Sequence, residues 1–182
     1  MAKNKKRKNT LTLIAMLGLL VVMIGAYGLL LQHNKDVENT SDEEEEAQIP
    51  LNEIEESEIK ELQVLNETTE FTLINKDEMW SLKEEEAFPV DQNTASNLAS
   101  RMASLQATKE VIENANDLAE YGLDSPEITV TIKKSDDSTM TLSIGDQLTT
   151  GNDYYATINN ETTVYVVEAL VRNTFITEKN DL

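Results

Sequence analysis

Carboxylates are the most abundant reactive groups in this chain. Asp124 with Asp146, and the adjacent Asp136 and Asp137, are of the type that hydrolyses glycosidic bonds. That chemistry needs a defined separation and one carboxyl whose pKa is raised. Spacing along the chain supplies neither, and Asp136-Asp137-Ser138 stands where a hairpin turn calls for Asp anyway. Serines abound, but the one histidine, His33, lies two residues past a long apolar run, against the expected membrane, so a Ser-His pairing has no support. The run Glu43 to Glu46 offers oxygens for calcium but lacks the alternating Asp/Asn ligands and central Gly of a calcium loop. With no cysteine there is no thiol nucleophile, iron–sulfur site, disulfide or lipid-bearing cysteine, and a single histidine leaves almost no zinc constellation. No phosphate-cradling glycine motif occurs. The expectation is a protein without catalytic residues, metal or cofactor, and not an enzyme.

The segment Tyr121-Gly122-Leu123-Asp124-Ser125-Pro126 has the look of a ligand loop, but its residue types serve folding better. Gly122 permits positive φ, Pro126 fixes φ, and Tyr121 and Leu123 can plug a core. Tyr154 and Tyr155 must point to opposite faces of a strand, which predicts one buried and one exposed ring. Trp80 reads as a sheet-face core residue, with a carbohydrate or peptide platform as the alternative.

The elements that position these residues follow from periodicity. From Ile59 the apolar period is two: Leu62 and Val64, then Phe71 and Leu73, then Met79 and Leu82 around Trp80, separated by turn residues at 66–69 and 75–78. This predicts a three-stranded antiparallel meander. Ala95, Leu98, Ala99, Met102 and Leu105 then form one helical stripe, with Asp91 as N-cap and Val90 placed to staple onto Ala95. Lys109 to Ile112 reads as a short strand, and 117–121 as a helical turn ended by Gly122. Strands follow at Ile128–Ile132, Met140–Ile144, Tyr155–Ile158 and Thr163–Val167, then a helix from about Glu168 to Thr177 presenting Leu170, Val171 and Phe175. The two halves share an outline of strands followed by a helix. Grouped strands and helices argue for an α+β fold, with antiparallel sheet and two main packing helices.

Charge and hydropathy set the predicted topology. Of the 15 Lys/Arg, five crowd into the first eight positions, and none of the 34 Asp/Glu precedes Asp36. Leu11 to Leu31 carries no charge, and as a helix would span about 31 Å, matching a hydrocarbon core of about 30 Å. A cleaved secretory signal has a shorter apolar region and a small-x-small site, absent here. The basic tail 1–10 is thus expected in the cytoplasm, 11–31 as a single-pass anchor and the rest as extracytoplasmic. Residues 32–57 read as an acidic disordered linker, 58–178 as the folded domain and 179–182 as a tail. From Gln32 onward the net charge is −24. Phosphate contacts need a positive surface, so no nucleic acid partner is expected.

Taken in order, Trp80-Ser81-Leu82, Pro89-Val90-Asp91, Tyr121-Gly122-Leu123 with Pro126, Ile144-Gly145-Asp146, Gly151 with Tyr154-Tyr155, and Val164-Tyr165-Val166-Val167 resemble a bacterial family, domain of unknown function 4340. The likeness runs over roughly 59–177, with the Ile-Gly-Asp step taken as a turn. The resemblance implies a membrane-anchored, extracytoplasmic cell-envelope domain, some of whose relatives are encoded with gliding-type ABC transporter components. It assigns no catalytic residue. The expected function is a non-catalytic protein-binding or accessory module of an envelope complex; the alternative is an envelope protein that binds cations or cell-wall polymer.

Overall fold

The computed structural model describes residues 48–182. The basic tail, the apolar run Leu11–Leu31 and the spacer as far as residue 47 lie outside the described residues. Among the described residues no helix is long and apolar enough to cross a membrane.

The domain is α+β. Strands β1 (Ile49–Pro50), β2 (Ile59–Leu65), β3 (Glu70–Lys76) and β4 (Met79–Leu82) precede helix α1 (Gln92–Ala103). Then come β5 (Gln106–Ala107), β6 (Lys109–Ile112), β7 (Ile128–Lys134), β8 (Thr139–Gln147), β9 (Tyr154–Ile158), β10 (Val164–Val167) and helix α2 (Ala169–Phe175). Eight strands form one antiparallel sheet in the order β4-β3-β2-β7-β8-β9-β10-β6, and β1 pairs with β5 in a separate two-stranded ribbon. The two meanders run outward from the central β2–β7 pair, and each ends in a helix, so the outline shared by the two halves is visible in the strand order.

Period-two alternation decides which face is sealed. Ile59, Leu62 and Val64 of β2, Ile128, Val130 and Ile132 of β7, and Met140, Leu142 and Ile144 of β8 all lie in one core with Leu98, Met102, Val171 and Phe175 of the helices. Alternate residues such as Gln63, Thr131 and Lys133 face the other way. The α1 stripe is buried as its spacing requires, and the Asp91 carboxylate accepts from Asn93 N (2.8 Å) and Thr94 N (3.0 Å). Of the α2 residues expected inward, Val171 and Phe175 are buried, but Leu170 is exposed. A helix of seven residues has room for only one inward stripe, and Leu170 falls beside it.

Both ends of the domain extend further than composition suggests. Residues 48–57 are not disordered linker: Leu51 N and Asn52 N donate to Leu105 O, Ile54 N donates to Ala103 O, and buried Asn52 donates from Nδ2 to Met102 O at 2.7 Å. These bonds satisfy carbonyls that the end of α1 leaves open. Residues 179–182 are likewise not a loose tail, because a 3-10 turn at Lys179–Asp181 folds Leu182 into the main core. Elsewhere Asn66 ties the β2–β3 turn to the end of α2. Its Oδ1 accepts from Thr68 N and Thr69 N, and its Nδ2 donates to Phe175 O (3.1 Å).

Candidate functional site

Six of the motif residues converge on the sheet face opposite the helices. The chain between β6 and β7 crosses that face. Asp117 Oδ1 accepts from Ala119 N (2.9 Å) and starts a 3-10 turn at Ala119–Tyr121, which Gly122 ends at φ +68°. A Cβ on Gly122 would lie 2.6 Å from Asp146 Cγ, and a Cβ on Gly145 would overlap the Tyr121 carbonyl oxygen. The two glycines therefore let the turn lie directly on β8. Ile144-Gly145-Asp146 is not a turn: it lies inside β8, where the register with β9 shifts between Ile144 and Gln147. That bulge opens the strand surface that the crossing chain occupies.

This contact encloses a second, small core. Ala115, Leu123 and Val164 are buried there, with Leu118, Tyr121 and Tyr155 packed around them. The Tyr121 and Tyr155 rings meet edge to face, 5.0 Å between centroids. Pro126 is half-buried where the chain turns into β7. Tyr155 is not solvent-exposed while Tyr154 is core; both are half-buried, on opposite faces. Tyr154 packs on the main core, and the Arg172 guanidinium lies 5.2 Å above its ring. Arg172 also pairs with Glu127, whose hydrogen bond raises the Arg172 pKa further. Tyr165 packs on the main core too, and burial together with Glu110, Glu161 and Glu113 raises its phenol pKa. Gly151 stands alone in the exposed β8–β9 turn at φ +113°, with nothing near its missing side chain.

Trp80 is buried in the main core, as its sheet-face position predicts, and is not a surface platform. Its backbone is held by a residue that sequence reasoning missed: Trp80 N donates to Gln92 Oε1 (2.8 Å), and Gln92 Nε2 donates to Trp80 O (3.0 Å). The side-chain amide thus does what a neighbouring strand would do at this edge. No short-range sequence signal marks it, since the pair forms only when α1 folds back on β4.

The adjacent carboxylates considered for hydrolysis lack the shift of an acid–base pair. Asp136 and Asp137 occupy the β7–β8 turn, and both pKa values are lowered, by the Ser138 hydroxyl and by Lys133 respectively. A general acid needs the opposite shift. Asp146 lies against Gly122, and Asp124 is exposed after the crossing turn. Among the described residues no three acidic or histidine side chains group to hold a metal ion. Two clefts among the described residues are open and polar. One of about 230 Å³ has Arg101 and Glu168 in its wall, and another of about 310 Å³ lies between Glu55, Glu56 and Glu78.

Residues 80–182 match the family described as Domain of unknown function (DUF4340). The match starts at Trp80 and takes in the whole of the small core, α1 and α2, while β2 and β3 precede it. No curated protein and no solved structure matches the chain.

Proposed function

The chain belongs to the family of Domain of unknown function (DUF4340), and on that premise we propose that it is a single-pass envelope protein whose extracytoplasmic domain binds another protein. The accessory role within an ABC-transporter-type complex belongs to the same reading. Its carrying observation is the use of the motif residues. Tyr121, Gly122, Leu123, Gly145, Asp146 and Tyr155 fasten a chain crossing to the sheet, and none of them lines the two clefts described above. What they build is a shaped surface, and a shaped surface acts by docking. The anchor rests on the charge-free run Leu11–Leu31 behind a basic tail.

Crosslinking of the full-length protein in cells, followed by purification and mass spectrometry, tests this reading. A membrane-complex subunit recovered in near-stoichiometric yield is the expected result. A protein that emerges without any partner overturns it.

The net charge of −24 after Leu31 favours a second reading, weak attraction of cations or cationic wall polymer through the summed field. It requires salt-sensitive binding of many equivalents of Ca²⁺ in calorimetry at low ionic strength. Absence of heat removes it.

A further inference from the structure

The two edges of the eight-stranded sheet are finished differently. At the β4 edge, Gln92 occupies the backbone of Trp80 from outside. At the other edge β6 pairs with β10 on one side and has no strand on its outer side among the described residues. All four β6 residues are exposed, and Val111 and Ile112 leave 37% and 36% of their surface in solvent. The register with β10 slips at Val111, because Tyr165 faces Glu110 while Val164 faces Ile112. Two adjacent apolar side chains and an unpaired backbone edge are what an incoming strand needs: main-chain groups to bond and apolar positions to cover.

Charge at this edge selects the occupant. Glu110 and Glu113 flank the apolar pair, and Glu161 stands at the neighbouring turn; their shared field reaches Tyr165. Lys109 is the one cation on the strand. A second copy of this chain would bring the same carboxylates to the same edge, so like-charge repulsion opposes self-pairing. The slip at Val111 also limits the regular edge to a few residues, which suits a short segment and not another whole sheet.

We infer that β6 is a strand-addition site, taking an extended segment of a partner protein in which apolar residues alternate with Lys or Arg. This inference rests on the protein-binding reading above and deepens it by naming the surface and the partner's chemistry.

Three synthetic heptapeptides probe the site on the full-length protein in detergent: alternating Lys-Val, alternating Glu-Val, and Lys-Val with N-methyl groups at every second amide. N-methylation keeps charge and side chains but removes the donors that strand addition uses. The expected result is saturable binding of the Lys-Val peptide at one equivalent, at least tenfold weaker for the other two. The Val111→Ser/Ile112→Ser variant weakens Lys-Val binding at least tenfold without moving the melting midpoint, and Met79→Ser at the β4 edge changes nothing. If the N-methylated peptide binds as well as its parent, attraction is by charge alone and the inference is overturned. Equal binding of the Glu-Val peptide, or a dimer that the edge variant dissolves, overturns it as well.

In-cell crosslinking separates the two levels. A partner still captured by the Val111→Ser/Ile112→Ser variant in unchanged yield sinks the β6 site while protein binding stands. Absence of a partner from the unmodified protein sinks both.

Discussion

The sheet has one face sealed by two helices and one face sealed only where the 113–127 chain crosses it. The first holds aliphatic side chains from seven strands of the sheet and both helices in a single continuous core. The second is a handful of residues around Leu123 and Val164, closed by two tyrosines and by the fit of Gly122 and Gly145 against each other's neighbours. Most of the recognisable motif belongs to the smaller region. A large core tolerates exchange among apolar residues, since volume and pattern are what it requires. A backbone-on-backbone crossing tolerates almost nothing, because it needs a missing Cβ at two particular positions. Motif density therefore marks the region with the least freedom, which here is not the region with the most burial.

The comparison predicts two kinds of failure. Leu142 is fully buried at the centre of β8, and Leu142→Ala should lower the unfolding free energy by roughly 2–5 kcal/mol. In hydrogen exchange, both faces should open together, because β8 backs them both. Gly145→Ala should cost less, about 1–3 kcal/mol, because the crossing chain can lift off and relieve the overlap with the Tyr121 carbonyl while the main core stays closed. Amides of 118–123 should then exchange far faster than those of β2 and β7. Global unfolding by Gly145→Ala, with no separate fast class, would show that the two regions form one cooperative unit.

How much was legible follows the same division. The β2–β3–β4 meander, α1 with its Asp91 cap, and the last four strands could be read because each carries its period locally. The 3-10 turn ending at Gly122 was legible from turn chemistry. What escaped was whatever depends on distant segments. Ile49 and Leu51 alternate like a strand and Ile54 follows three residues on, but acidic neighbours and Pro50 hide them until Leu105 supplies a backbone partner. The Ile-Gly-Asp step reads as a turn in isolation and becomes a bulge because another chain lies on it. Lys109–Ile112 was legible as a strand, but its place at the end of the sheet was not, and that place gives Val111 and Ile112 their interest.

A smaller effect sharpens the contrast. Gly122→Ala forces an L side chain to φ +68° and toward Asp146, which together should cost about 1–2 kcal/mol. Because Gly122 and Gly145 hold the same crossing, the double variant should cost scarcely more than Gly145→Ala alone. Urea titrations of the two single variants and the double variant measure this directly. Full additivity would mean that the glycines act on independent structures, and the notion of a single detachable crossing would have to be abandoned.

The smallest effect concerns the β7–β8 hairpin, whose two strands underlie both faces. Asp136 and Asp137 have pKa values lowered from 3.8 in the folded state. A carboxylate with a lowered folded pKa adds stability that is present above its unfolded value and is lost as pH falls through its folded one. The melting midpoint should therefore drop below about pH 4, and Asp136→Asn should remove part of that drop. The causes differ, and so should the response to salt. Ser138 donates to Asp136 from its hydroxyl at 2.6 Å, a short-range bond that salt leaves intact, whereas Asp137 is held by a hydrogen bond from Lys133 and then by the charges of Lys133 and Lys60, and salt screens that charge part. At 1 M salt the Debye length is about 3 Å, so the share lost is the charge part of Asp137, and the share that remains belongs to the hydrogen bonds from Ser138 and Lys133. If salt instead abolishes the whole acid-side slope, both carboxylates act through charge alone, and the Ser138 bond contributes nothing to the turn that joins the two faces.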